Sequence, residues 1–460
     1  MENKVNTRIE KDSMGELHVP EDALYGAQTQ RAVDNFPVSG KAMPMGFIQA
    51  LIQVKKAAAQ ANLELATLEQ PVGDAICSAC DQLLADPALM RHFPVDVFQT
   101  GSGTSTNMNA NEVIARIATQ LTGTEVHPND HVNYGQSSND IIPTTIHVSA
   151  AIAVKESLLP AASHLYTVIN RKAQAVGDYC KTGRTHLMDA MPVRMDQSLS
   201  GWQAQIAQQI KSLSALQPAI QTLALGGTAV GTGVNAHPEF ANCFNQALTR
   251  LTNIAFQPAD NFFALIASQD TAVSLSGILK SYAVTIMKIA NDLRWMNSGP
   301  LAGIGEISLP ALQPGSSIMP GKVNPVIPEA AAMAAAQVMG NDYAITVGGQ
   351  SGNFELNVML PVIASNLLDS ITLLSNSSTL LADKAIKGFT VNQDNLEKAL
   401  HKNPILVTAL NPIIGYNRAA DIAKAAYKSQ RPILDVALEM TDIPESELKE
   451  LLDPRKLTSN

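Results

Sequence analysis

The sequence has 460 residues, of which 46% are hydrophobic and 16% charged, and it carries a formal net charge of −9. At roughly 150 residues per domain, this length predicts about two or three domains. No cluster of Lys and Arg provides the basic surface that nucleic-acid binding requires, so we exclude a nucleic-acid partner. The small charged fraction is typical of a chain that buries apolar surface between subunits, so we expect a homo-oligomer.

The N-terminus lacks the apolar core of a signal peptide, and no run of about 18 apolar residues follows it, so we predict neither export nor a membrane span. Cys77 and Cys80 have C-x-x-C spacing, but no second C-x-x-C or H-x-x-x-H completes a zinc site. We interpret them as two small residues on one helix face and predict no metal. Four free thiols favour a cytoplasmic location.

The first elements in chain order are two short strands, predicted within the first twenty residues around a turn at residues 12–15. Residues 47–69 contain many Ala, Leu, Gln and Lys and no Gly or Pro, which predicts a long helix. Further long helices, the last with an expected kink at Pro361, are predicted at residues 145–176, 197–223, 325–346 and 355–385.

The clearest periodic signal is a single apolar stripe with spacings of three and four residues, which indicates a helix of about six turns. The stripe consists of Leu275, Ile278, Tyr282, Ile286, Ile289, Leu293 and Met296. Gly299 and Pro300 then end the helix. Together with the other long segments, this helix predicts a bundle.

Beyond about residue 388, short helical segments are broken by prolines, which indicates a small C-terminal domain. We therefore predict a mainly α fold in three parts. An N-terminal domain with a short hairpin and helices spans residues 1–136, a central domain of long bundled helices spans 137–389, and a small helical domain spans 390–460.

Four polar, glycine-containing loops interrupt the helices, at residues 100–107, 127–140, 183–189 and 315–324. Ser, Thr and Asn next to Gly can direct backbone N–H groups and side-chain donors at an anion. One such loop alone would be interpreted as helix capping. Four of them favour a carboxylate-binding site between helices.

Three other sites are excluded by their motifs. The segment GSSIMPGKVN at residues 315–324 departs from a P-loop, because five residues separate Gly315 from Gly321 and Val323 follows Lys322 where a metal-binding Ser or Thr is needed. The glycines at residues 226–233 lack the dinucleotide-binding pattern and its preceding strand. No G-x-S-x-G motif of a serine hydrolase occurs.

The same segment resembles the signature of the fumarase/aspartase superfamily, and the whole chain resembles class II fumarases. The further matching segments are GAQTQR (26–31), QTGSGT (99–104), NMN (107–109), HPND (127–130), QSSND (136–140), GRTH (183–186), GGTAVGTG (226–233) and SGNFELN (351–357). The resemblance implies a fumarate hydratase of the tricarboxylic acid cycle, with fumarate and malate as substrates. It also implies a homotetramer whose long helices form a common core, active sites shared by three subunits, and no cofactor or metal.

By the same resemblance, Ser316 is the base that takes the C3 proton of malate, and Lys322 stabilises the charge that develops on the substrate. His186 with Glu329 handles the departing hydroxide. The residues expected to bind the substrate are Ser102, Gly103, Thr104, Asn107, Ser137, Ser138, Asn139, Thr185, Ser317, Lys322, Val323 and Asn324. A second, peripheral dicarboxylate site would consist of His127, Pro128, Asn129 and Asp130.

Some positions depart from the pattern of the best-known fumarases. Leu301 stands where Arg is expected, Tyr134 where Lys is expected, and Thr124 with Glu125 replaces a basic pair. The last change bears on the occupancy of the peripheral site.

Four other kinds of protein share this scaffold or its signature. Aspartase has the same fold, but it generally has Gln in place of His186 and Ala in place of Gly321. Argininosuccinate and adenylosuccinate lyases share the signature more loosely. A non-catalytic structural protein on this scaffold would have no need for the complete set of catalytic residues.

Overall fold

The computed structural model describes residues 6–458, and the chain is mainly α-helical, as the sequence predicts. The α-helices of this part of the chain are α1 (Ala27–Asn35), α2 (Met45–Glu64), α3 (Gln70–Ala85), α4 (Thr104–Thr122), α5 (Ser138–Ala153), α6 (Leu159–Val176), α7 (Met195–Ile220), α8 (Phe240–Thr252), α9 (Phe262–Ala267), α10 (Asp270–Met296), α11 (Val326–Gln350), α12 (Leu360–Leu381), α13 (Gln393–Lys402), α14 (Asn411–Ile414), α15 (Tyr416–Ser429), α16 (Ile433–Met440) and α17 (Glu445–Leu451). Short π-helical turns lie at Pro128–Val132, Val154–Leu158 and Ala382–Ile386, and 3-10 turns at Leu89–His92, Pro404–Leu410 and Lys456–Thr458.

The strands are short and pair only in twos within the described residues. They are β1 (Thr7–Asp12), β2 (Gly15–Pro20), β3 (Cys180–Thr185), β4 (Met188–Arg194), β5 (Thr222–Leu223), β6 (Gln257–Pro258), β7 (Ile307–Ser308), β8 (Gly352–Asn353), β9 (Leu356–Asn357) and β10 (Thr390–Val391). The pairs are β1–β2, β3–β4, β7–β10 and β8–β9, all antiparallel, and β5–β6, which is parallel. Asp12 pairs with Gly15, which confirms the predicted turn of the first hairpin.

The chain divides into two compact units. The first comprises the described residues up to Pro160 together with Lys211–Ala283 and Ala336–Ser375. Within this unit α2 packs against α3, α5 and α8, because its alanines and aliphatic side chains are buried on several faces. Cys77 and Cys80 lie on α3 as free thiols, and burial raises the pKa of Cys77 to about 11 and that of Cys80 further still.

The second unit comprises Ala161–Ile210, Val284–Ala335 and the chain from Asn376 onward. Within it, the hairpin β3–β4 packs against α13, and the C-terminal helices share an apolar core of their own. Leu410, Ile422, Val436 and Leu448 are buried in that core. The proposed limits of the three sequence domains stay a prediction.

The long helices follow the predicted segments, but not at every limit. α2 ends at Glu64 and not at residue 69, and the helix predicted at residues 145–176 is α5 and α6 joined by a π-helical turn. The helix predicted from residue 355 begins at Leu360, because β9 precedes it.

The apolar stripe of α10 and the expected kink in α12 also differ from the prediction. Ile278 is only half-buried, and Leu279 takes its place in the buried stripe. With Leu279 in the stripe, the spacings from Leu275 to Met296 alternate between four and three residues, which is the periodicity of one helix face. The predicted kink at Pro361 is wrong, because α12 begins at Leu360 and a proline in the first turn removes no helical hydrogen bond.

By length and composition alone, α10 is the one helix in residues 6–458 that could cross a membrane. Half of its most apolar window is buried inside the chain. Core helices of soluble proteins pass the same test, so this is weak evidence for a membrane span.

Candidate active site

The first group of predicted site residues surrounds the N-terminus of α4. Gly103 precedes the helix with a left-handed backbone (φ +72°), and a Cβ there would lie 2.9 Å from Ile142 of α5. The hydroxyls of the buried Ser102 and of Thr104 lie 2.8 Å apart. The first N–H groups of a helix have no partner within it, and the helix dipole favours negative charge there. This helix end can therefore receive a carboxylate.

The N-terminus of α5 provides a second such position. Ser137 caps it, accepting from the Asn139 N–H at 3.2 Å, while Asp140 accepts from the Ser137 N–H at 2.9 Å. Asp140 also accepts from the N–H groups of Gly226 and Thr228, so the glycine-rich segment 226–233 holds this capping residue. Burial raises the pKa of Asp140 to about 6, against the lowering effect of these N–H groups.

The two helix ends are joined directly. Asn107 donates from Nδ2 to Ser138 Oγ at 3.0 Å, and both residues belong to the first unit. The structure therefore brings together Ser102, Gly103, Thr104, Asn107, Ser137, Ser138 and Asn139, which the family resemblance predicts as substrate-binding residues.

A buried lysine supports this cluster, and sequence analysis missed it. Lys55 of α2 donates from Nζ to Asn133 Oδ1 and to Gln136 Oε1, both at 2.9 Å. The sequence feature that could have revealed Lys55 is its position four residues after Leu51 and three before Ala58, which are both fully buried. This spacing places all three residues on one face of α2. A lysine at an apolar-stripe position indicates a buried cation with specific partners.

The predicted peripheral-site residues form a local cap. His127 Nδ1 accepts from the N–H groups of Asn129 (3.3 Å) and Asp130 (3.1 Å) at the head of the turn Pro128–Val132. Asn129 and Asp130 are exposed. Tyr134, one of the departures from the fumarase pattern, is 38% exposed, and Leu301 is 97% exposed.

His186 lies at the tip of the hairpin β3–β4, in the second unit. His186 and Leu187 form its two-residue turn, with φ of +55° and +60°. Turns of this type usually contain Gly, Asn or Asp, because a left-handed backbone costs other residues about 1–2 kcal/mol. Both side chains are exposed. Backbone strain at an exposed histidine is typical of a functional position.

The base of this hairpin is held by a buried ion cluster that the sequence did not suggest. Glu306 is 3% exposed and accepts from Lys181 Nζ at 2.6 Å and from Arg184 Nη1. Arg184 belongs to the GRTH segment and directly precedes Thr185. Glu306 therefore fixes the strand that leads to Thr185 and His186.

The loop at residues 315–324 closes on itself. The Gly315 N–H donates to Lys322 O at 2.8 Å, and Asn324 Nδ2 donates to Gly315 O at 2.7 Å. Ser316 Oγ accepts from the N–H groups of Ile318 (3.2 Å) and Met319 (3.0 Å). The loop thus has a fixed shape with Ser316 at its edge.

Several side chains of this loop point into solvent. Ser317, Lys322 and Val323 are exposed, and Ile318 is 83% exposed. In the described part of the chain the Lys322 ammonium has no hydrogen-bond partner. Glu329 follows in the first turn of α11 and is half-buried. Between residues 6 and 458, His186 and Glu329 share neither a hydrogen bond nor an ion pair, so the predicted pair is not formed within one chain.

Comparisons with known proteins find relatives that match almost the whole chain. A family described as "Lyase" matches residues 15–340, and one described as "Fumarase C C-terminus" matches residues 406–459. A Pseudomonas aeruginosa protein named fumarate hydratase class II 2 is 67% identical over 99% of both chains. A Xylella fastidiosa protein named fumarate hydratase class II is 57% identical over 100% of this chain and 97% of its own.

The fold of the chain also matches that of a solved class II fumarase. The crystal structure of a recombinant class II fumarase from Schistosoma mansoni matches with a TM-score of 0.95. The two sequences are 38% identical, and the match covers 98% of this chain and 99% of the other.

Proposed function

This chain belongs to the class II fumarate hydratase family, and from that premise we propose how its residues act. It is a fumarate hydratase, a lyase that interconverts fumarate and malate. The proposed reaction is the reversible anti addition of water to give (S)-malate, through a carbanion whose charge is spread over the neighbouring carboxylate, without metal or cofactor. The observation that carries the proposal is the pair of N–H groups on Ser316 Oγ.

Ser316 takes the C3 proton of malate. A serine hydroxyl is a weak acid, so its alkoxide must be stabilised before it can act as a base at neutral pH. The N–H groups of Ile318 and Met319 point at Oγ and are fixed by the closed loop. Preorganised donors of this kind contribute roughly 3–4 kcal/mol each where charge develops in a dry site.

The electron pair of the broken C–H bond moves onto the adjacent carboxylate. Lys322 and the second N–H of Asn324 stabilise the added charge. The pair then returns to form the C=C bond as the C2–O bond breaks. The hydroxide takes a proton from His186 and leaves as water, and Glu329 orients the His186 ring.

The substrate carboxylates bind at the two helix ends. The donors there are the N-terminal groups of α4 and α5, with Ser102, Thr104, Ser138 and Asn139. Asn107 belongs to the same binding set through Ser138, because its two N–H bonds go to Ser138 Oγ and Asn133 Oδ1. Thr185, Ser317 and Val323 complete the binding set. His127 and Asp130 are proposed as a peripheral dicarboxylate position, although His127 Nδ1 is engaged as a cap.

We propose a homotetramer in which three subunits contribute to each site. Two observations support it. His186 and Glu329 do not meet within the described residues of one chain, and large apolar side chains lie exposed on the long helices. Val284 is 54%, Met333 69% and Tyr343 74% exposed, as expected of surfaces that pack against other subunits. We also propose a cytoplasmic enzyme, which four free thiols support.

A complementation experiment tests the shared site. Ser316→Ala and His186→Asn are each expected to inactivate the homotetramer, and Asn tolerates the left-handed backbone at position 186. Hybrid tetramers are produced by co-expression, isolated through two different tags, and assayed by the ultraviolet absorbance of fumarate formed from malate.

If Ser316 and His186 of one site come from different subunits, random hybrids have both residues intact in about a quarter of their sites and regain activity accordingly. If both come from one chain, every hybrid site lacks one of the two and activity stays absent. Folded, inactive hybrids would therefore contradict the shared site.

A further inference from the structure

Lys55 has no part in the proposed chemistry, yet it is completely buried. Burial lowers its pKa to about 7, against the raising effects of Asp140 and Cys80. A buried amine is costly unless specific hydrogen bonds compensate it. Lys55 donates to Asn133 and Gln136, and either protonation state of the amine can donate both bonds.

Asn133 Oδ1 is the point at which three donors converge. Lys55 Nζ lies 2.9 Å away, and the Nδ2 atoms of Asn107 and Asn111 each lie 3.2 Å away. An amide NH2 group could not occupy this position, because every group facing it there is a donor. The other end of the amide agrees with this orientation, because Asn133 Nδ2 donates to Gln136 O at 3.2 Å. Lys55 and the Gln136 carbonyl therefore together fix which end of the Asn133 amide faces α4.

The orientation of Asn133 fixes that of Asn107 in turn. The Asn107 NH2 group must face Asn133 Oδ1, and its second N–H donates to Ser138 Oγ at 3.0 Å. Because Ser138 Oγ accepts from Asn107, its own hydrogen is free to point elsewhere. If the Asn107 amide were reversed, its oxygen would accept the Ser138 proton instead.

We propose that Lys55 is a positioning residue for substrate binding: through Asn133 and Asn107 it keeps the Ser138 hydroxyl a donor to a substrate carboxylate. The inference rests on the proposed function, in which Ser138 contacts that carboxylate. Lys55 itself touches no substrate atom. Its loss should therefore act on substrate affinity more than on turnover.

The test is a double-mutant cycle between Lys55→Met and Ser138→Ala, with kcat and KM for malate measured on each variant. Lys55→Met should raise KM about 10-fold and change kcat less than about 3-fold. In the Ser138→Ala background it should raise KM by less than about 2-fold, because the donor that it positions is already gone. Lys56→Met is the matched control: it removes the adjacent lysine of α2, which pairs with Asp81 at 2.5 Å, and should leave KM unchanged.

The outcomes separate the inference from its premise. If Ser138→Ala leaves KM unchanged, the proposed substrate position is wrong and the inference fails with it. If Ser138→Ala raises KM but the effect of Lys55→Met is absent or fully additive, only the inference is overturned.

A second pair of variants covers the case in which Lys55→Met does not assemble. Asn133→Asp keeps an acceptor for all three donors but loses the N–H that Gln136 O accepts, so KM should rise only moderately. Asn133→Leu loses the acceptor as well, and its KM should rise further. Equal KM values for these two would also overturn the inference.

Discussion

The Oγ atom of Ser316 lies 3.0 Å from the backbone nitrogen of Met319, and it accepts that residue's N–H together with the N–H of Ile318. The same two bonds would cap a turn in any loop. They also provide what an alkoxide at this position needs, because both donors are held by a loop that is closed between Gly315 and Lys322. The same two hydrogen bonds can therefore cap the turn and stabilise an alkoxide at Ser316 Oγ. A measurement of activity distinguishes these two roles.

Ser316→Ala should lower kcat by about 10³-fold or more, because no other group can take the C3 proton with the same stabilised oxygen. The loop is exposed, so the thermal midpoint should change little. Ser317→Ala is the matched control, and as a binding residue it should raise KM while kcat stays within about 10-fold. Near-normal turnover in Ser316→Ala would rule out its role as base.

Glu306→Gln should destabilise the protein by about 3–5 kcal/mol, because the buried Lys181 and the half-buried Arg184 are left without a counter-charge. Turnover should fall as well, since the strand that leads to His186 loses its anchor. Thermal and denaturant unfolding at one protein concentration measure the first effect. Glu439→Gln is the control, because its pair with Arg431 is exposed and screened by water, so its loss should leave the free energy of unfolding almost unchanged. Equal losses in the two variants would contradict the role of burial.

Stability should depend on pH through His147. Burial lowers the pKa of this residue to about 4 from 6.5, while its Nδ1 lies 2.8 Å from Thr222 O. The unfolded chain therefore binds a proton between about pH 6.5 and 4 that the folded chain does not. Stability from this group is complete above pH 6.5 and is lost as pH falls toward 4, by up to about 3 kcal/mol.

His147→Asn keeps a donor for Thr222 O, and its thermal midpoint should change less between pH 4 and 6.5 than that of the wild type. The exposed His18 provides the control, and His18→Asn should leave the pH dependence of the wild type in place. An unchanged slope in His147→Asn would show that other groups cause the acid sensitivity.

The sequence predicted those features that depend on local pattern. The first hairpin and the stripe of α10 follow from turn residues and periodicity. The composition of the loops at residues 100–107 and 127–140 predicts that they share a site, whereas the individual residues Ser102, Asn107 and Ser138 follow from the family resemblance. Lys55 and Glu306 escaped prediction because their partners lie 78 and 125 residues away, and single-chain patterns carry no information on such pairs. The left-handed turn at His186 and Leu187 could not be predicted either, because it lacks the Gly, Asn or Asp that usually marks such a turn in a sequence.

The glycines of the loop at residues 315–324 should respond unequally to substitution. A Cβ at Gly315 would lie 2.5 Å from Lys322 O and 2.7 Å from the Asn324 nitrogen, which are backbone atoms that cannot rotate away. Gly315→Ala should therefore open the loop, displace Ser316 from its position and lower kcat by about 10²-fold or more.

Gly321 has a φ of +80°, but a Cβ there would meet no atom within 4 Å. Gly321→Ala should thus cost only about 1–2 kcal/mol of backbone strain and leave kcat within about 10-fold. Each variant adds one methyl group to the wild type. Malate turnover in the two variants therefore compares the effect of opening the loop at Gly315 with the effect of backbone strain at Gly321. A larger loss of turnover in Gly321→Ala than in Gly315→Ala would mean that the left-handed turn, and not the Gly315 to Lys322 closure, holds Ser316 in place.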